Sequence, residues 1–382
     1  MSPGITKERD LRIDFFRGLA LIFIFIDHVP NNGWSKATFK NFGFADASEV
    51  FVLLAGFSAG LAYLSLEARG GMRAVVQRAS QRAREIYVWH LGVFLVASLL
   101  LFLAAQAFEK PSYVNNIAVG HLATEPVSTL LSALGLYYQP NMMNILPMYV
   151  ALMLWLPVII MMLRRSMALA LSIAVAIWLV ANVTGLNFPS FQMKGGWFFN
   201  PFAWQLLFTL GVAAAMVVRG RPSFRPRPEF VVPAAAFLVF AFLVAAPWVQ
   251  IPWLPGDRLL PRSVLGSMGK TDLSLWRLLH VLALAYVVAA VVPKNAAWLR
   301  ASWAHAVSLC GKHSLEIFSL GTLLSFLGWI ALSELGSSLA MVAAVNVAGI
   351  AIMGMTAWQL SRRKEDRRAA QQATASVQAL AS

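Results

Sequence analysis

Apolar windows long enough to cross a lipid bilayer recur along almost the whole chain, and this repetition limits what it can fold into. About 18 helical residues at 1.5 Å each span a hydrocarbon layer of roughly 30 Å. Segments such as Leu91 to Ala105 are apolar on every side, as helices in lipid are, whereas a membrane β-barrel needs strands of alternating polarity. With 59% hydrophobic and 13% charged residues, against about 25% charged in soluble domains, water is not the main solvent. The chain reads as an all-α integral membrane protein with about ten spans, expected at 13–30, 46–66, 86–107, 143–163, 167–185, 200–218, 230–247, 274–293, 304–330 and 338–360. They form one polytopic domain, residues 1–360, followed by a basic tail, 361–382, that is helical and solvated or else unstructured. The intervals Phe108 to Met142 and Trp248 to Leu273 are rich in Pro, Asn, Gly and aromatics and read as loops packed over the membrane surface. The first span carries Arg17, Asp27 and His28 with no small-residue cleavage site after it, so it reads as a retained helix and not a signal peptide.

Orientation follows from Lys and Arg. With the N-terminus in the cytoplasm, the cytoplasmic segments hold 21 of the 31 and the opposite loops seven, which supports an even number of spans and two cytoplasmic termini. This topology accounts for most of the +14 net charge, which is spread over short loops and forms no stripe with interleaved aromatics; membrane lipids, not nucleic acid, are the expected partner. The lone Cys310 can form no intrachain disulfide, and the six histidines show no HExxH or comparable pair, so no metal site is expected.

Ionisable groups inside spans are costly unless paired or hydrated, which makes them functional candidates. In RIDFFRGLALIFIFIDH, Arg17 and His28 lie eleven residues apart, close to three full turns, so they share one face about 16 Å apart along the axis. Asp14 lies near that face, while Asp27 points about 100° away from His28 and needs a bend or a water to reach it. Arg12, Asp14 and Arg17 could instead snorkel to headgroups, with Asp27 and His28 marking the far interface. The second span opens DASEVFVLLAGFSAG, and antiparallel packing brings Asp46, Ser48 and Glu49 to the depth of His28. Asp46 reads as a helix cap, whereas Glu49, one turn deeper, can partner a histidine acting as a general base. In RASQRAREIY, Arg78, Arg82 and Glu85 follow one helical face with Arg84 and Tyr87 beside it, suited to phosphates or simply a positive-inside loop. Lys312, His313, Ser314 and Glu316 fall in the ninth span, and Arg277 and His280 near the outer end of the eighth, beneath a loop carrying Asp257, Arg258, Arg262, Lys270 and Asp272.

RIDFFRGLALIFIFIDH resembles the first-helix signature of acyltransferase-3-like transmembrane acyltransferases, and EVFVLLAGFSAG resembles their second-helix segment. RAREIYVWH and CGKHSLEIFSL are more similar to the OpgC branch, described as succinyltransferases of osmoregulated periplasmic glucans. Two departures from the broader family fit that branch: the familiar Ser-Gly-Phe reads Ala55-Gly56-Phe57, and no histidine follows Phe318 in the ninth span. The resemblance implies a multi-pass protein of a bacterial inner membrane that moves an acyl group from acyl-CoA, succinyl-CoA in this branch, to a periplasmic glucan or other sugar, with no bound cofactor. It assigns catalysis to His28 and acyl-donor handling to Arg17, Arg78 and Arg82, with Asp14, Arg84 and Tyr87 beside them. Glu49 or Asp27 would orient the imidazole, and a succinyl carboxylate or the acceptor would meet Arg277, His280 or Lys312. The rival class is a transporter or flippase whose buried charges line a substrate path; the chain shows no inverted repeat of the kind that would support it.

Reporter fusions after Leu66, Arg219 and Leu360 should read cytoplasmic, and those at Ser112, Gln192 and Asp257 periplasmic; any two contradictions break the ten-span topology.

Overall fold

The computed structural model describes residues 10–191, 193–221, 226–245 and 268–381, which are helical with no strand among them. Lys7, Arg9, Arg225, Asp257, Arg258, Arg262 and the fusion site Gln192 lie outside the described residues. Helix α1, Leu11–His28, starts at the cap Asp10, whose carboxylate accepts from the Arg12 N–H. Helix α2, Ala47–Ala107, is 61 residues long and contains what the sequence suggested as two spans and a loop. There is no loop: the helix folds back at Gly71, whose φ of 69° is one that glycine adopts without strain, and the Tyr63 hydroxyl on one arm reaches the Arg78 carbonyl on the other at 3.4 Å.

The interval 108–142 does not lie flat on the surface. It holds three short helices, α3 Ser112–Asn115, α4 His121–Thr124 and α5 Pro126–Leu134. The Tyr87 hydroxyl donates to the Leu134 carbonyl at 2.8 Å. Tyr87 is 20 residues before Ala107, so the chain returns about 30 Å along α2 before α6 begins. Val127, Leu131 and Leu134 of α5 are exposed, a face suited to hydrocarbon, and its short helical backbone satisfies itself there.

The remaining helices are α6 Ile145–Arg165, α7 Met167–Thr184, α8 Pro201–Gly220, α9 Pro228–Ala245, α10 Leu275–Val291, α11 Ser302–Lys312, α12 Ser314–Leu335 and α13 Leu339–Ala381. The single ninth span expected at 304–330 is thus two helices, because His313, with φ −110° and ψ 43°, breaks the helix between them. The basic tail continues α13 without interruption. Seven of these helices, α2, α6, α7, α8, α9, α12 and α13, are long and apolar enough to cross a membrane. Of the other expected spans, α1 carries Arg12, Asp14, Arg17 and Asp27, α10 has 17 residues, and α2 supplies apolar stretches on both sides of Gly71.

Lipid gives helices no hydrophobic reason to associate, so close packing and interhelical hydrogen bonds must hold the bundle. Two glycine crossings provide the packing. At the first, a Cβ on Gly18 would sit 1.9 Å from the Val307 carbonyl oxygen and one on Gly311 1.8 Å from that of Asp14, so the backbones of α1 and α11 touch. At the second, a Cβ on Gly56 would meet the Phe208 carbonyl at 2.2 Å and one on Gly211 that of Leu53 at 2.4 Å, locking α2 to α8. Beyond α1, the buried amides of Asn32 and Asn346 bond reciprocally at 2.8 Å, tying the following turn to α13.

Gly311→Ala forces a methyl group into the Asp14 backbone and should destabilise the protein by about 1–3 kcal/mol. Gly92→Ala meets nothing within 4 Å and should leave the unfolding temperature in detergent unchanged or slightly raised.

Candidate functional site

The start of α2 carries a closed charge cluster. Asp46 caps the helix by accepting from the Ser48 N–H at 2.8 Å, and Glu49 Oε2 accepts from the Asp46 N–H at 2.9 Å, a reciprocal capping box. The second Glu49 oxygen accepts from Arg277 Nε at 2.6 Å; Arg277 Nη2 also reaches Asp46 Oδ2 at 3.0 Å, and Lys270 Nζ lies 2.6 Å from that same oxygen. Two carboxylates thus face two cations. The segment that delivers the cations is clamped from α7 and α8: Trp178 donates to the Leu273 carbonyl at 2.9 Å, Trp204 to that of Lys270 at 3.1 Å, and Asn200 to Asp272 Oδ1 at 2.8 Å.

His28, partly buried at the end of α1, places Nδ1 2.6 Å from the Ile24 carbonyl oxygen, so the proton sits on Nδ1 and Nε2 is left as the basic nitrogen. The backbone carbonyl, not Glu49 or Asp27, therefore makes the bond that sets the tautomer. Glu49 is held by Arg277, and Asp27 accepts from Thr38 Oγ1 at 2.6 Å and pairs with Lys40 at 3.0 Å. The His28 ring lies near Lys270, Asp46 and Lys40, and so at the level of the cluster.

Below the cluster lies a cavity of about 470 Å³. Arg69, Arg78 and Arg82 line one end, and Arg17, Phe51, Tyr149, Ser314 and Phe318 the other. Both arms of α2 contribute. From Arg69 to Phe51 is 18 residues, or about 27 Å along the first arm. Arg17 donates to the Ser314 hydroxyl and reaches Ser58 Oγ at 3.5 Å, and its guanidinium carbon lies 5.9 Å from the centroid of the Phe51 ring. Phe51 stacks on Phe318 at 6.4 Å and meets Tyr149 edge-on at 5.6 Å, so this aromatic group lines the end of the cavity two residues from Glu49.

Arg17, Arg78 and Arg82 thus come together, Arg82 also pairing with Glu85 at 2.7 Å. Arg84 is exposed outside the cavity, Asp14 is buried at the α11 crossing, and Tyr87 is spent on holding α5. Lys312 does not join Arg277: it is exposed beside Gly311 at the Asp14 end of α1, about 21 Å in helical rise from the level of His28. His280 is buried against Gly43 and Phe44, its Nδ1 unpartnered, and makes no bond to the Arg277 cluster. Sequence reasoning did not single out Arg69, Ser58 or Tyr149. Arg69 was hidden among the counted basic residues, and Tyr149 shares a helical face with Leu146 and Met153, a pattern that reads as ordinary apolar packing.

The family described as OpgC protein matches residues 9–365, nearly the whole chain. No curated protein and no solved structure matches it.

Removing the cation tests the pairing. Arg277→Ala leaves Glu49, 0% exposed, without its partner and should destabilise the protein by about 3–5 kcal/mol in thermal unfolding; adding Glu49→Gln should recover part of that loss.

Proposed function

Because this chain belongs to the OpgC family, we propose that it is a membrane O-acyltransferase, carrying an acyl group, succinyl foremost, from cytoplasmic acyl-CoA to hydroxyls of a periplasmic glucan. The observation that carries the donor half is the cavity: three arginines at its mouth and a fourth, Arg17, near its far end suit a ligand with phosphates at one end and a long uncharged arm. The CoA phosphates would be held by Arg69, Arg78 and Arg82, and the arm would run along α2 toward Phe51.

His28 supplies the base. With Nδ1–H donated to Ile24, Nε2 can take the proton of a sugar hydroxyl as its oxygen attacks the thioester carbonyl. The new ester C–O bond forms, the C–S bond breaks, and the departing CoA sulfur takes up the proton from the imidazolium. Of the charges near the ring, Asp46 favours that transient cation, while Lys270 and Lys40 act against it. For a succinyl group, Arg277 with Lys270 is the cationic site at the right depth, and its pairing with Glu49 and Asp46 holds it in place until a carboxylate competes. Residence in a bacterial inner membrane, with the arginine-rich end inward, follows from this division of substrates.

His28→Ala should insert and fold but lose acyl transfer by roughly 10²-fold or more, while binding succinyl-CoA like the parent protein. Arg78→Ala and Arg82→Ala should do the reverse, weakening donor binding with little effect on expression. The assay is mass-tagged succinyl transfer to glucan in proteoliposomes; export of glucan or lipid without any acyl increment would favour a transporter, and near-normal transfer by His28→Ala would remove it as the base.

A further inference from the structure

We propose that Tyr149 is a donor-binding residue whose phenol O–H hydrogen-bonds a carbonyl oxygen of the acyl-CoA arm, thioester or amide, at the far end of the arginine-lined cavity. This rests on the donor reading above and deepens it.

Tyr149 stands on α6, is 6% exposed and lines the cavity with Arg17 and Phe51. Its hydroxyl is buried and has no hydrogen-bond partner. Buried tyrosine hydroxyls ordinarily find one, because a polar group removed from water and left unpaired is destabilising. The ring is fixed by its edge-on contact with Phe51, so the hydroxyl cannot readily swing elsewhere. Its surroundings are rich in donors and poor in acceptors. Arg17 offers N–H groups only, and the Ser58 and Ser314 hydroxyls, which accept from Arg17, make no bond to the phenol. The other walls here, Ala55, Ala59 and Leu315, are apolar. Such a place fits an uncharged, flexible segment that can turn a carbonyl oxygen to the phenol, as the thioester or an amide of a pantetheine arm can.

The test measures binding to the purified, detergent-solubilised full chain, wild type and Tyr149→Phe. Two probes are used, succinyl-CoA and an S-alkyl CoA thioether that lacks the thioester carbonyl. Phenylalanine keeps the ring and removes only the unpartnered hydroxyl, so the variant should unfold at the parent's temperature or above while binding succinyl-CoA about tenfold more weakly. If the thioester carbonyl is the acceptor, both proteins bind the thioether alike; if an amide is, the variant is weaker for both probes. Equal succinyl-CoA affinity in the two proteins overturns the proposal, as does a marked fall in unfolding temperature, which would give the hydroxyl a structural role. A wild-type protein that binds neither probe overturns the donor reading itself, and this inference with it.

Discussion

The contact on which the arrangement depends is the touching of two backbones at Gly18 and Gly311. Without side chains there, α1 and α11 approach until carbonyl oxygens lie where Cβ atoms would be. That approach fixes the end of α11, and because the chain breaks one residue beyond Lys312, it also fixes the first residue of α12. Ser314 therefore arrives beside Arg17, and Phe318, one turn further on, meets Phe51. In a bundle that gains nothing from expelling water between helices, such steric fit does the organising that hydrophobic burial does in soluble domains.

Charge is handled differently at the arginine-lined end of the cavity and in the cluster beyond its aromatic end. At one, Arg69, Arg78 and Arg82 outnumber the carboxylate of Glu85 and leave a field for anions. At the other, Asp46, Glu49, Lys270 and Arg277 balance one against one, and the oxygens of Glu49 are both engaged. Balanced buried pairs add little to stability relative to apolar packing, so their use is in holding geometry. Here they hold the start of α2 and the start of α10 against each other, at the depth of His28.

Much of this was open to a reader of the sequence. The helices were, because lipid leaves the backbone little choice. What escaped were relations between residues far apart. Arg277 and Glu49 are separated by 228 positions, and no periodicity connects them. The reversal at Gly71 also escaped, since a polar stretch between two apolar ones reads as a loop whether or not its backbone is helical. The sequence suggested Lys312 as a partner for a carboxylate at the far side although it stands only a few residues into the ninth span, and its place beside Gly311 at the Asp14 end of α1 keeps it far from His28. The return of α5 along α2 is set by tertiary contacts such as Tyr87 with Leu134, against which the Pro- and Asn-rich composition around it pointed to a surface loop.

The reversal at Gly71 bears on how the protein is made. Both arms of α2 face the cavity, so most of its lining, from Phe51 to Ile86, is encoded in one short early stretch and comes together through contacts close in sequence. The closing wall, Ser314 to Phe318, is synthesised more than two hundred residues later. During translation the arginines are therefore assembled long before they are enclosed. A chain that stops short of α12 keeps the charges that attract an anion and lacks the wall of Ser314, Leu315 and Phe318.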